Sequence, residues 1–440
     1  MVANINRILQ IVLLPALALL SFGAWSGPEI QSWKTQNGAR VLFVPAPDLP
    51  MVDVRVVFDA GSARDGDKPG LSQLTNALLT EGAGEWDADQ VAQRMDSVGA
   101  SMGSGAMRDM AWVSLRTLTQ EHAFDTSVAT LARILDSPTF PATALERNRQ
   151  MMLAGLQREE QSPAGVVKKR FMQEVFGTHP YAVHSGGTKE SLAAMTREDV
   201  LAQYRRFYVA GNATISIVGA LDRKQAEELA MRLVGGMQAG AAAPPLPAVA
   251  GLQQGSEQHI PFPSSQSHIL LGQPGMRRGD PDYFALYVGN HILGGSGLVS
   301  LLSDEVREKR GLSYSVYSYF SPMRADGPFI LGAQTKNQQA GEALKVMRQT
   351  LADYIQRGPS DQELEAAKQN ITGGFPLNIA SNGKIVEYIS MIGFYGLPLD
   401  YLDAFVGRIN ALTKEQIRDA FQRRVHPERF VTVVVGNGKS

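Results

Sequence analysis

The chain of 440 residues carries 42 basic and 43 acidic side chains, a formal net charge of −1, and 44% hydrophobic residues. That balance leaves no electrostatic footprint for nucleic acid or an anionic membrane surface, and the length supports two or more buried cores. The absence of cysteine excludes disulfides, thiolate metal sites, cysteine nucleophiles and a lipid-modified cysteine anchor.

The chain opens with Arg7, an apolar run from Ile8 to Trp25, and then Gly27-Pro28. Residues 1–26 read as a secretory signal peptide with a small-residue cleavage site at Ala24-Trp25-Ser26. The body is therefore expected to be exported, to the periplasm. The competing reading is a membrane tether over residues 8–25, which Gln10 and Pro15 weaken.

Beyond the leader, β-branched runs predict strands at Val41–Val44, Val52–Phe58, Trp112–Leu118 and Thr214–Val218. Helical periodicity and capping signals predict helices over 70–80, 87–98, 120–135, 142–160, 165–176 and 196–207. The strands do not alternate strictly with helices. Each half is accordingly expected to be α+β, a mostly antiparallel sheet covered by helices on one face.

The chain also repeats itself. Met195-Thr196-Arg197-Glu198-Asp199-Val200 leads through Tyr204 to Ile215-Ser216-Ile217-Val218-Gly219. At an offset of 217 residues, Leu412-Thr413-Lys414-Glu415-Gln416-Ile417 leads through Phe421 to Thr432-Val433-Val434-Val435-Gly436, without a gap. Each copy is a Thr-capped helix with an acidic first turn, followed by a strand. So long a period means duplicated domains rather than a solenoid. The domains are read as 27–234 and 264–440, joined by a Gly/Pro-rich linker at 235–263 that is expected to be exposed.

Several segments carry a resemblance. They are Asp59-Ala60-Gly61-Ser62-Ala63-Arg64 with the helix 70–82; Phe176-Gly177-Thr178-His179-Pro180-Tyr181 with Gly187-Thr188; Tyr204, Phe207, Tyr208, Asn212 and Ile217-Val218-Gly219; and Leu293-Gly294-Gly295 with Val306-Arg307-Glu308-Lys309-Arg310-Gly311-Leu312-Ser313-Tyr314. In this order, and with the duplication, the chain resembles the pitrilysin/insulinase-type zinc metallopeptidases, or inverzincins, in their short two-domain form. The resemblance implies a clam half, in which four homologous domains enclose a chamber and a second polypeptide supplies the missing two.

It also implies where the chemistry should lie. A His-x-x-Glu-His motif would fall on positions 73, 76 and 77, with a distant Glu near 155. These positions hold Gln73, Asn76, Ala77 and Gly155. Amides are poor zinc ligands, Ala and Gly have no ligating side chain, and no general base remains. The seven histidines, at 122, 179, 184, 259, 268, 291 and 426, offer no i,i+4 pair, and His179 reads as a structural loop residue. Gly294-Gly295-Ser296-Gly297 lacks a phosphate-loop lysine and reads as a turn before a helix that ends at Gly311. In the second half the resemblance assigns Arg307 and Tyr314 to substrate contact and oxyanion stabilisation, donors suited to developing negative charge. By residue type alone the two would be a helix-terminal cation and a strand aromatic.

The expectation is a non-catalytic, substrate-binding subunit of a heteromeric zinc metalloprotease. It binds no metal itself and is inactive alone. Its expected partners are a homologous His-x-x-Glu-His subunit that holds the zinc, and peptide substrates; no nucleic acid is expected, and in isolation it could form a homodimer. The alternative is a peptide-binding or assembly-scaffold protein of the same fold with no protease role.

Overall fold

The computed structural model describes residues 28–437. The leader read at 1–26 lies outside them. The first half builds strands β1 (Gln31–Lys34), β2 (Arg40–Pro45), β3 (Met51–Phe58), the short hairpin β4 (Gly82–Ala83) and β5 (Trp86–Asp87), then β6 (Ser101–Ala106), β7 (Ala111–Leu118) and β8 (Ala213–Gly219). Its helices are α1 (Leu71–Leu78), α2 (Ala88–Asp96), α3 (Glu121–Asp136), α4 (Ala142–Glu160), α5 (Pro163–Phe176), α6 (Lys189–Ala194), α7 (Arg197–Phe207) and α8 (Arg223–Val234). The second half contributes β9 (Ser256–Ile260), β10 (Gln266–Met276), β11 (Ser313–Phe320), β12 (Gly327–Lys336) and β13 (Val431–Val435). With them come α9 (Tyr283–Asn290), α10 (Ala340–Arg357), α11 (Asp361–Asn378), α12 (Asn382–Tyr395), α13 (Tyr401–Asn410) and α14 (Lys414–Arg424).

The sequence repeat is a repeat of topology. The first sheet runs β1-β2-β8-β3-β7-β6 and the second runs β11-β12-β10-β13-β9. In the first, only β2 and β8 are parallel; in the second, only β13 and β9 are. Read from β9, the second sheet therefore reproduces β2-β8-β3-β7-β6 strand for strand. The duplicated segments are α7 with β8 and α14 with β13. Thr196 and Thr413 each close a capping box, with Asp199 and Gln416 respectively, so that two otherwise orphaned helix donors are satisfied in each copy.

Two expectations need correction. The stretch read as linker contains β9, which pairs with β13 from Ser256↔Val431 to Ile260↔Val435. Ser256-Glu-Gln-His-Ile alternates too weakly to announce a strand; backbone pairing at a sheet edge makes it one. The second correction concerns the sheet faces: the central strands β3, β8, β10 and β13 are covered on both, whereas the outer strands β7 and β11 keep exposed residues on one. Side chains alternate along each strand: Val41 and Phe43 enter the core of the first half, whereas Leu42 and Val44 join a core dominated by the second half. That opposite face is covered by α12 of the second half, which packs on β3 and β8. Reciprocally, α5 of the first half packs on β10 and β13, where Val167, Phe171 and Val175 meet Leu270 and Val433. The helices exchanged occupy corresponding places in the two halves. Gly393 permits the close approach on the first sheet: a Cβ there would lie 2.5 Å from Leu42 Cδ1 and 2.6 Å from Thr214 Cγ2.

The junction between the halves is polar and buried. Asp109, in the β6–β7 turn, is 3% exposed. It accepts hydrogen bonds from Tyr181 Oη at 2.5 Å, Tyr395 Oη at 2.9 Å and the Arg324 amide at 2.7 Å. Tyr181 Oη in turn accepts from the Ala325 amide at 3.1 Å. Arg64 grips Asp59 through two bonds of 2.7 and 2.9 Å, and Arg324 Nε lies 3.1 Å from the same carboxylate. Two residues from the first half and two from the second thus share one carboxylate or its neighbour. Asn212 adds the connecting segment, donating to the Asp59 carbonyl and accepting from the Ala243 amide.

Candidate functional site

Helix α1 carries three of the four positions where a zinc site would stand. Its start is built by Gly70 and Asp65. Gly70 has φ +94°, a left-handed conformation that favours glycine, and a Cβ there would crowd Gly186 and Gly187 at 3.1 Å. The Asp65 carboxylate accepts from the Gly70 and Ser72 amides at 2.8 Å each and from Ser72 Oγ at 2.5 Å. It thereby caps donors that the first helical turn leaves unpaired. Burial pushes this carboxyl up to about 7, against the pull of the Ser72 and Gly70 hydrogen bonds.

The helix packs against α4, which carries Gly155, so the four positions are brought to neighbouring helices. Their chemistry does not fit zinc. Asn76, 2% exposed, turns its Nδ2 toward the Trp112 carbonyl and Tyr208 Oη, 3.3 Å from each. It is a structural donor holding α1 to β7 and to the segment after α7. Tyr208 is fully enclosed, and burial pushes its phenol well above the ordinary value. Ala77 has only a methyl group, and a side chain at Gly155 would meet nothing within 4 Å. Among the described residues no three His, Asp or Glu side chains converge as a metal site.

In the second half the helix expected between the turn at 294–297 and Gly311 is irregular, and so is the segment from His291 that leads into it. The stretch is wound as a wide π-type turn at His291–Gly295, a tight 3₁₀ turn at Gly297–Val299, and a second π-type turn at Ser303–Glu308. Gly311 ends it at φ +62°, with its amide bonded to the Arg307 carbonyl and the Leu312 amide to that of Val306. Arg307 thus sits on the last turn. Tyr314 sits in a β-bulge, because the pairing of β11 with β12 slips between Ser313 and Ser315. The extra residue bends the edge strand and throws its side chain outward, leaving Tyr314 82% exposed. The Arg307 guanidinium lies 5.5 Å from the Tyr314 ring centroid, within cation–π range. The two residues, seven apart in sequence, therefore stand side by side, Tyr314 exposed and Arg307 partly so, with Arg307 Nε also 3.5 Å from the Glu308 carboxylate. A cavity of about 520 Å³ lies nearby between α5 and the sheet, with Ser315, Tyr317 and Tyr319 of β11 on its wall. Arg307 and Tyr314 are outside its lining.

His179 is a structural residue. Its Nδ1 accepts from the Tyr181 amide at 3.1 Å and its Nε2 lies 3.0 Å from the Pro247 carbonyl. Both contacts together require the neutral ring with the proton on Nε2. Desolvation lowers its pKa accordingly. Sequence reading missed Asp65 and Asp109, since a lone acid in a turn resembles any solvated acid.

The fold is a duplicated, two-sheet architecture in which the positions that the resemblance would assign to a metal hold Gln73, Asn76, Ala77 and Gly155. Family comparison agrees. Residues 40–189 match the model described as insulinase (peptidase family M16), and residues 194–371 match the peptidase M16 inactive domain. A crystal structure of a peptidase M16 inactive domain from Pseudomonas fluorescens is 40% identical, with a TM-score of 0.90 over 93% of this chain and 98% of that one. The chain belongs to the M16 peptidase family. Among relatives, the non-peptidase homolog YmxG of Helicobacter pylori is 25% identical over 89% of this chain and 90% of its own length. The uncharacterized zinc protease YmxG of Bacillus subtilis is 24% identical, over 92% and 98% respectively.

Proposed function

We propose that this chain is the non-catalytic, substrate-binding subunit of a heteromeric zinc metalloprotease, exported to the periplasm. One asymmetry carries the reading. At the four positions that the resemblance assigns to zinc and its general base the first half carries Gln73, Asn76, Ala77 and Gly155, whereas the second half presents Arg307 and Tyr314 side by side at a bulged edge. A guanidinium and a phenol are both donors and fit the carbonyl oxygens of an extended peptide and the charge that develops on one of them. Zinc and the general base belong, on this reading, to a homologous His-x-x-Glu-His subunit that faces this chain across a chamber.

The test is co-expression with a genome-neighbouring M16 chain that carries His-x-x-Glu-His, followed by purification through a tag on this chain alone. The expected result is a stoichiometric complex that cleaves unfolded peptides. Arg307→Ala with Tyr314→Ala should lower kcat/KM on the order of a hundredfold while the complex stays assembled. Full activity of the doubly substituted complex, or no co-purification, refutes the assignment.

A further inference from the structure

Most charged groups lining the molecule's cavities are paired: Arg424 with Asp280, Arg64 with Asp59, Arg348 with Glu257. One cavity differs. It lies in the second half between α9, α11, α12 and α13, with a volume of about 510 Å³, a size typical of small-molecule sites. Its walls are aromatic. Tyr283 and Tyr287 stack with centroids 5.9 Å apart and planes 3° from parallel, and Tyr388, Tyr401 and Phe405 complete the lining. Arg278 enters from the loop between β10 and α9. It is half-buried, and its guanidinium lies 5.6 Å from the Tyr395 ring.

Among the described residues no carboxylate pairs with Arg278 and no acceptor takes a hydrogen bond from its side chain; Nε is both buried and unpartnered. The hydroxyls of Tyr287 and Tyr388 likewise find no protein acceptor there. Glu387 lines the same cavity, but its carboxylate is engaged by Arg55 of β3 at 3.3 Å. Lys384, at the rim, donates to the Leu377 carbonyl at 2.7 Å. The cavity therefore offers an unpaired guanidinium and tyrosine hydroxyls among aromatic walls, with Asn378 and the Glu387 carboxylate on its lining. A half-buried guanidinium without a counter-charge is costly unless something else completes its hydrogen bonds. Its fork geometry matches a carboxylate.

We propose that this cavity is a binding site for a carboxylate carried on an aromatic or branched apolar body. The carboxylate takes the Arg278 fork and a tyrosine hydroxyl, and the body packs among the rings. Two sources share this chemistry: a free small acid, and the C-terminal residue of a peptide.

The test is calorimetric titration of the full chain with N-acetyl-phenylalanine and with its uncharged amide. The acid should bind saturably. The amide should bind about ten- to a hundredfold more weakly, the loss expected for a charge-assisted hydrogen-bonded pair. Arg278→Gln should abolish the difference, and Arg278→Lys should retain part of it. The acid–amide comparison on the unsubstituted chain decides the matter even if the variants misfold. A tetrapeptide ending in free phenylalanine identifies the source: tighter binding than the single residue marks a peptide terminus, and weaker binding marks a free acid. Equal affinity for acid and amide, or no saturable binding of the acid by the folded chain, overturns the proposal.

Discussion

Asp109 sets how the two halves are held, and its removal should be expensive. Asp109→Ala deletes the acceptor of three donors, the buried hydroxyl of Tyr181 and the partly buried hydroxyl of Tyr395 and amide of Arg324. Tyr181 is 0% exposed, so it cannot turn to bulk water. An orphaned buried donor costs about 1–3 kcal/mol. With water able to enter the vacated volume and re-pair one donor, the sum for the other two is about 2–6 kcal/mol. Asp109→Asn should cost less, since one carboxamide oxygen still accepts while its NH₂ group opposes a donor. Urea unfolding provides the assay, with two signals. Trp33, Trp86 and Trp112 all lie in the first half, so fluorescence follows that half and far-UV circular dichroism follows the whole chain. Both midpoints should fall together in the variant, because α5 and α12 still tie each half to the other's sheet. A loss below about 1 kcal/mol would refute the reasoning by showing that solvent replaces the carboxylate freely.

Further outcomes can be checked directly. The purified chain should retain no stoichiometric zinc after dialysis and cleave no peptide; metal analysis and a quenched-peptide assay decide this. Gly393→Ala should destabilise by about 1–3 kcal/mol through overpacking against Leu42 and Thr214, read from the urea midpoint. His179 is held neutral in the fold. Its contribution is present above its unfolded pKa of about 6.5 and is lost as pH falls from there through the depressed folded value. Stability should therefore drop as pH falls below about 6.5, and His179→Phe should flatten that segment of the profile. Arg307→Ala and Tyr314→Ala should each alter stability by less than about 0.5 kcal/mol, because one side chain is exposed and the other partly so; a larger loss would assign the pair to the fold.

The sequence determined this protein's family frame and its duplication. Those depend on residue identity and local periodicity: threonine caps at 196 and 413 and β-branched strands. Local signals fail where backbone pairing or distant contact decides. Ser256–Ile260 and Ser101–Ala106 become strands only because a neighbour offers its hydrogen-bonding edge; their own residues have little strand preference. The irregular winding of 291–311 follows from i→i−5 bonds that no periodicity announces. The exchange of α5 and α12 between the sheets is likewise decided only in three dimensions, since an apolar helix face does not specify which sheet it will cover. The same holds for the sites. The family resemblance singles out Arg307 and Tyr314, but only the bulge at Tyr314 brings the ring outward beside the guanidinium. Asp109 and Arg278 look alike in the sequence as ordinary charged residues in turns. Burial separates them: Asp109 meets three donors from both halves, and Arg278 meets none of the acceptors its charge requires.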